Sequence, residues 1–224
     1  MTSSEPPFNL QKLIDDSSDT GWASTTLDKR QVWTLPSLIA AQAARAGYEP
    51  VSNRRSQGVM DTLKPTKSTD ANPNSLSSVT GLEQQPLHTD GAHQENPPDI
   101  VLLWAINQSI VPTRIWRPSA IPDRELHGMF SVTDGKDFWI SPAWDDDGNY
   151  RFDPCCMHPL DYFSKQLSKR FTTVPEAQIE RFYWDKPNSI LLIRNRKVLH
   201  GRAGVTDRSE NRTIHRIALR RVNL

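Results

Sequence analysis

The stretch that most constrains the fold is Asp99–Ile106 (DIVLLWAI), a dense apolar run of the kind that marks a buried strand. From that point the chain reads as β structure. Thr113–Trp116, Gly128–Val132 and Asp137–Ile140 form further short apolar segments, and Asp134-Gly135 between the last two is a hairpin signal. Gln178–Trp184, Ser189–Ile193 and Thr213–Val222 complete the strand set. Pro159–Phe171 reads as a helix with Leu160, Phe163, Leu167 and Phe171 on one side. A second helix spans Ser37–Ala46, opened by Pro36 and stopped by Gly47. Residues 51–86 are polar and rich in Ser, Asn and Pro, which favours short strands and loops. Residues 1–21 are Ser/Asp-rich with one amphipathic hint at Phe8–Ile14, and are expected to be poorly ordered or loosely packed. Many short strands with few helices predict a mainly β fold with flanking helices, a double-stranded β-helix or jelly roll.

A chain of 224 residues builds one good core, so residues 1–224 are expected to form a single domain. Lys+Arg (27) and Asp+Glu (26) nearly cancel, leaving +1 and no global field for nucleic acid or an anionic membrane. That balance favours a small-molecule partner. Cys155 and Cys156 are the only cysteines and, as neighbours, rarely bridge each other, so a reducing cytoplasmic setting is expected. The start of the chain lacks a basic stretch followed by an apolar run, and no segment is long and apolar enough to suggest a membrane span. Nothing in the sequence marks an oligomeric state.

The chemistry gathers in Pro86-Leu87-His88-Thr89-Asp90-Gly91-Ala92-His93. Residues two apart in extended backbone leave from the same face, so His88 and Asp90 make two corners of a metal site. His200, in Val198-Leu199-His200-Gly201-Arg202, supplies the third. Two histidines and one carboxylate on one face of a metal, with the other face open, is the ligand set of non-haem Fe(II) oxygenases.

The ordered set of His88-Thr89-Asp90-Gly91, then Asn195-Arg196 before His200-Gly201-Arg202, then Arg212-Thr213-Ile214-His215-Arg216, resembles the Fe(II)/2-oxoglutarate dioxygenases of the taurine-dioxygenase and clavaminate-synthase type. The resemblance implies a dioxygenase that uses Fe(II), 2-oxoglutarate and O2, releases succinate and CO2, and hydroxylates a C–H bond of a small molecule. It places His88, Asp90 and His200 on the iron and Arg212 on the far carboxylate of the keto acid, where a guanidinium makes a two-pronged contact. Thr113 matches the residue that assists that arginine. Arg216, at i+4 on the same expected strand face, would meet an anionic or carrier-tethered substrate, with His93 on the rim of the pocket. Because Asp90 is present where related halogenases have a small residue, hydroxylation is implied. The segment between the metal ligands is shorter than in many relatives, which implies a more open mouth. Two other readings stay open on the residues alone: a jelly-roll zinc hydrolase, in which Arg212 has no necessary task, and a non-catalytic ligand-binding protein of the same fold.

Simpler assignments cover the remaining motifs. His215 alternates out of phase with Arg216 and should pack on the opposite face. Asp145-Asp146-Asp147-Gly148-Asn149 lacks the full spacing of a calcium loop and reads as a hairpin turn. Cys155-Cys156 reads as a buried pair.

Overall fold

The computed structural model describes residues 8–52, 58–73, 75–206 and 212–222. Strands β1 (Trp22–Thr26), β2 (Tyr48–Val51), β3 (Met60–Leu63), β4 (Ile100–Ala105), β5 (Ser109–Trp116) and β6 (Met129–Thr133) are followed by β7 (Phe138–Pro142), β8 (Met157–Pro159), β9 (Glu180–Trp184), β10 (Ser189–Arg194), β11 (Leu199–Arg202) and β12 (Ile214–Arg221). Helices α1 (Leu10–Asp16), α2 (Lys29–Val32), α3 (Leu35–Arg45), α4 (Leu76–Thr80), α5 (Asp123–Leu126) and α6 (Tyr162–Thr172) lie between them. The largest sheet runs β1-β10-β4-β12-β2, with β3 also paired to β12. Two smaller sheets run β11-β5-β9 and β7-β6-β8, and every pairing is antiparallel.

The apolar run at residue 99 follows from where β4 sits. It lies between β10 and β12, and all its residues are buried. Ile100, Leu102 and Trp104 pack with Leu10, Leu13 and Ile14 of α1 and Leu35, Ile39 and Ala43 of α3. Val101, Leu103 and Ala105 face the other way, onto Ile115, Trp184 and Val198 in and beside the β11-β5-β9 sheet. A strand covered on both faces has no place for alternating polar residues. The site is built in this second interface, between the two sheets.

Three expectations are revised. Residues 1–7 lie outside the described part, but residues 8–21 are firmly packed rather than loose. Leu10, Leu13 and Ile14 form a buried i, i+3, i+4 stripe capped by Asn9, and Arg194 donates to Ser17 Oγ (2.9 Å) and the Ile14 carbonyl (2.7 Å). On α6 the buried residues are Ser164, Leu167 and Phe171, whereas Leu160 precedes the helix and both it and Phe163 are exposed. The Asp161 capping box with Ser164 fixes the helix start and hence which face turns inward. Cys155 is exposed and only Cys156 is half-buried, because the turn that carries them places one thiol outward. Among the described residues no helix is long and apolar enough to cross a membrane.

Candidate active site

Sheet register brings the distant residues together. Side chains directly opposite in an antiparallel pair share a face, so the pairings His200↔Ile115 and Arg202↔Thr113 put His200 and Thr113 on the face that packs against the large sheet. Gly201 permits the approach of the segment before His88: a Cβ there would stand 2.8 Å from the Pro86 carbonyl oxygen. Across this gap His88 and His200 exchange both main-chain hydrogen bonds, each 2.9 Å. Gly91, at φ +69°, then reverses the chain directly after Asp90.

His88, Asp90 and His200 are all buried, and one potential ligand atom from each lies within 4.8 Å of the others. His88 Nε2 is 3.5 Å from Asp90 Oδ1 and His200 Nε2 is 3.7 Å from Asp90 Oδ2. His88 Nδ1 donates to the Pro86 carbonyl (3.0 Å), which leaves the Nε2 lone pair facing inward. Burial disfavours the Asp90 carboxylate, but Arg216 and the two imidazoles reverse this and hold its pKa well below the usual range. Burial also depresses the two imidazoles. At His88 the adjoining Asp90 outweighs it and the pKa is raised; at His200 burial, with His88 and Arg216 nearby, wins and the pKa is lowered. An ionised carboxylate flanked by imidazoles, enclosed and facing a cavity, fits a divalent cation.

That cavity has a volume of about 570 Å³. It is lined by His88, Asp90 and His200, by Thr113, Arg212 and Arg216, and by residues between Thr62 and Ser77 on β3, α4 and the turns between. Arg212 is buried, donates to Thr113 Oγ1 (3.1 Å) and lies 5.9 Å over the Trp184 ring. Trp184 Nε1 donates to the same oxygen (3.1 Å), so Thr113, Arg212 and Trp184 form one rigid corner.

Arg216 also lines the cavity, but its guanidinium is engaged by carboxylates. Nη1 donates to Asp90 Oδ1 (2.8 Å), while Nε (3.1 Å) and Nη2 (2.6 Å) donate to Asp61 Oδ2. The inference of an acidic substrate from Arg216 therefore loses its basis. His93 is not among the cavity-lining residues, because the turn at Gly91 carries the chain away. His215 packs beside Trp104, with ring centroids 5.2 Å apart, on the opposite face as expected. Asp145 closes its turn by accepting from the Asp147 and Asn149 amides, as the hairpin reading requires.

Two residues acquire roles the sequence did not assign. Asn195 accepts from the Asp90 amide (2.8 Å) and donates to the Asp90 (2.9 Å) and Pro98 (2.7 Å) carbonyls. Its place just before His200 was visible; that its side chain clamps the backbone at Asp90 was not. Asp61 sits in a polar stretch with no motif, and its pairing with Arg216 gave no sequence signal.

No family model matches the sequence, and no curated protein matches it. Solved structures do. An asparagine oxygenase in complex with Fe(II), (2S,3S)-3-hydroxyasparagine and succinate superposes with a TM-score of 0.72 at 14% identity, over 93% of this chain and 77% of that one. The non-haem iron oxygenase OrfP with iron and α-ketoglutaric acid gives 0.72 at 16% identity, over 96% and 78%. The chain has the fold of these oxygenases. OrfP with iron, succinate and (3S)-hydroxy-L-arginine gives 0.71 at 16%, over 96% of this chain and 79% of that one. The oxygenase fold is thus reproduced in about three-quarters of the neighbours' length.

Proposed function

We propose that this chain is an Fe(II)- and 2-oxoglutarate-dependent oxygenase that hydroxylates a C–H bond of a small, amino-acid-like molecule with release of succinate and CO2. Its architecture is read as a double-stranded β-helix in one domain, and its unlinked cysteines fit a reducing cytoplasm. The observation that carries the reading is the convergence of His88, Asp90 and His200 on one wall of a cavity that also contains Arg212. The neighbouring oxygenases bind hydroxyasparagine or hydroxyarginine, which supports an amino-acid substrate here.

In this reading His88, Asp90 and His200 hold the iron, which supplies O2 activation coupled to decarboxylation of the keto acid. The chain's own residues set the conditions. Pro86 keeps the His88 proton on Nδ1, so Nε2 remains a donor atom for the metal. Arg212, steadied by Thr113 and stacked near Trp184, offers its guanidinium to the distal carboxylate of the co-substrate. Leu103 supplies apolar surface to the same cavity.

Adding 2-oxoglutarate to the anaerobic Fe(II) protein is expected to give a weak visible charge-transfer band, and a panel of free amino acids is expected to include one that drives succinate release. Arg212→Ala keeps its Fe(II) affinity but binds 2-oxoglutarate weaker by about two orders of magnitude, as when one partner of a buried charge pair is removed. No band and no succinate across the panel would overturn the proposal. Unchanged keto-acid affinity in Arg212→Ala would overturn the role of Arg212.

A further inference from the structure

Asp61 belongs to β3, which forms part of the cavity wall, and is the direct cross-strand partner of Arg216 on β12. Side chains paired in this way share a face. Both are largely shielded from solvent, with side-chain exposures of 14% for Asp61 and 11% for Arg216, against 8% for Asp90. The contacts divide the guanidinium: Nε and Nη2 bond Asp61 Oδ2, while Nη1 bonds Asp90 Oδ1. Asp90 Oδ1 is thus shared between Arg216 and the side of His88 Nε2 (3.5 Å), while Asp90 Oδ2 faces His200 Nε2 (3.7 Å).

A guanidinium beside a lone carboxylate closes a fork on both of its oxygens. We infer that Asp61 is a positioning residue for the metal site: by occupying two donors of Arg216, it keeps the arginine on a single oxygen of Asp90 and leaves the other for the cation. The inference rests on the metal-site reading above. It also makes the wall strand and the ligand carboxylate parts of one buried ionic chain, whose two carboxylates and one guanidinium sum to −1, a balance suited to a divalent cation between neutral imidazoles. When Asp61 is lost, Arg216 is released to fork onto Asp90 and competes with the metal.

The test is Co(II) binding to the full-length protein, followed by d–d absorption and by calorimetric titration, with melting curves recorded in parallel. Asp61→Asn keeps the shape and removes the charge; Asp61→Ala removes both. Each is expected to weaken Co(II) by about tenfold or more, the usual cost of removing a group that orients a ligand. Adding Arg216→Gln to Asp61→Ala is expected to restore much of the lost affinity, because the competing cation is gone. Wild-type Co(II) affinity in Asp61→Asn overturns the inference, as does a lowered melting temperature with unchanged Co(II) affinity, or a double variant no better than Asp61→Ala. If the unaltered protein binds no Co(II), the metal-site reading itself fails, and that result is distinct from the others.

Discussion

Asn195 bonds none of the three candidate ligand side chains, yet it fixes where Asp90 sits. The side chain is fully buried and its three hydrogen bonds satisfy main-chain groups of Asp90 and Pro98, and their removal leaves those groups without partners. Asn195→Ala is expected to destabilise the protein by about 2–4 kcal/mol on that basis, read from urea unfolding, and to weaken metal binding about tenfold or more, read from Co(II) titration. Cys155 offers a second residue-level check. Burial and the neighbouring Asp153 push its thiol up to about 11, so although it is exposed its thiolate is scarce at neutral pH. Alkylation by iodoacetamide should be slow at pH 7.5 and should accelerate about tenfold per pH unit until the pH nears that value. The clustering of His88, Asp90 and His200 was legible because a two-residue spacing and an ordered set of motifs survive in one dimension. The roles of Asn195 and Asp61 were not, because each depends on a contact more than a hundred positions away with no pattern of its own.

Elements were legible where burial is continuous or strictly periodic. β4 and β10 announce themselves as apolar runs, and α3 by Pro36 near its start and Gly47, at φ +78°, beyond its end. β11 was not assigned as a strand, for a physical reason: Leu199–Arg202 is short and contains a histidine, a glycine and an arginine, and it is buried only because β5 and the segment before His88 flank it. α6 was assigned correctly but with too wide an apolar face. The difference is measurable. Phe171→Ala removes a side chain packed against Trp116, Tyr150 and Phe152 and should cost about 3–5 kcal/mol. Phe163→Ser, on the exposed side, should stay within about 0.5 kcal/mol of the parent. Comparable losses at both positions in urea unfolding would show that the exposed face is buried in solution.

At the scale of the whole molecule, one sheet serves two purposes. Its helix-covered face closes a core with α1 and α3, and its other face meets the small sheet and contributes Leu103 and Arg216 to the cavity. The stretch of lining between Thr62 and Ser77 carries little of that core. Ligands that bind only the folded wall slow its opening by mass action. Amide exchange across β3 and α4 is therefore expected to slow when Co(II) and 2-oxoglutarate are added together, while β4 and β10 stay unchanged; equal protection everywhere would mean the wall opens only with global unfolding. The reciprocal main-chain bonds between positions 88 and 200 have a separate consequence. The spacing of the two imidazoles is inherited from sheet pairing rather than from the rings themselves, so either ring can be exchanged for a different donor while the frame stays put. In the proposed metal-site reading, the choice of ion is thereby open to change by single substitutions, with the scaffold left intact.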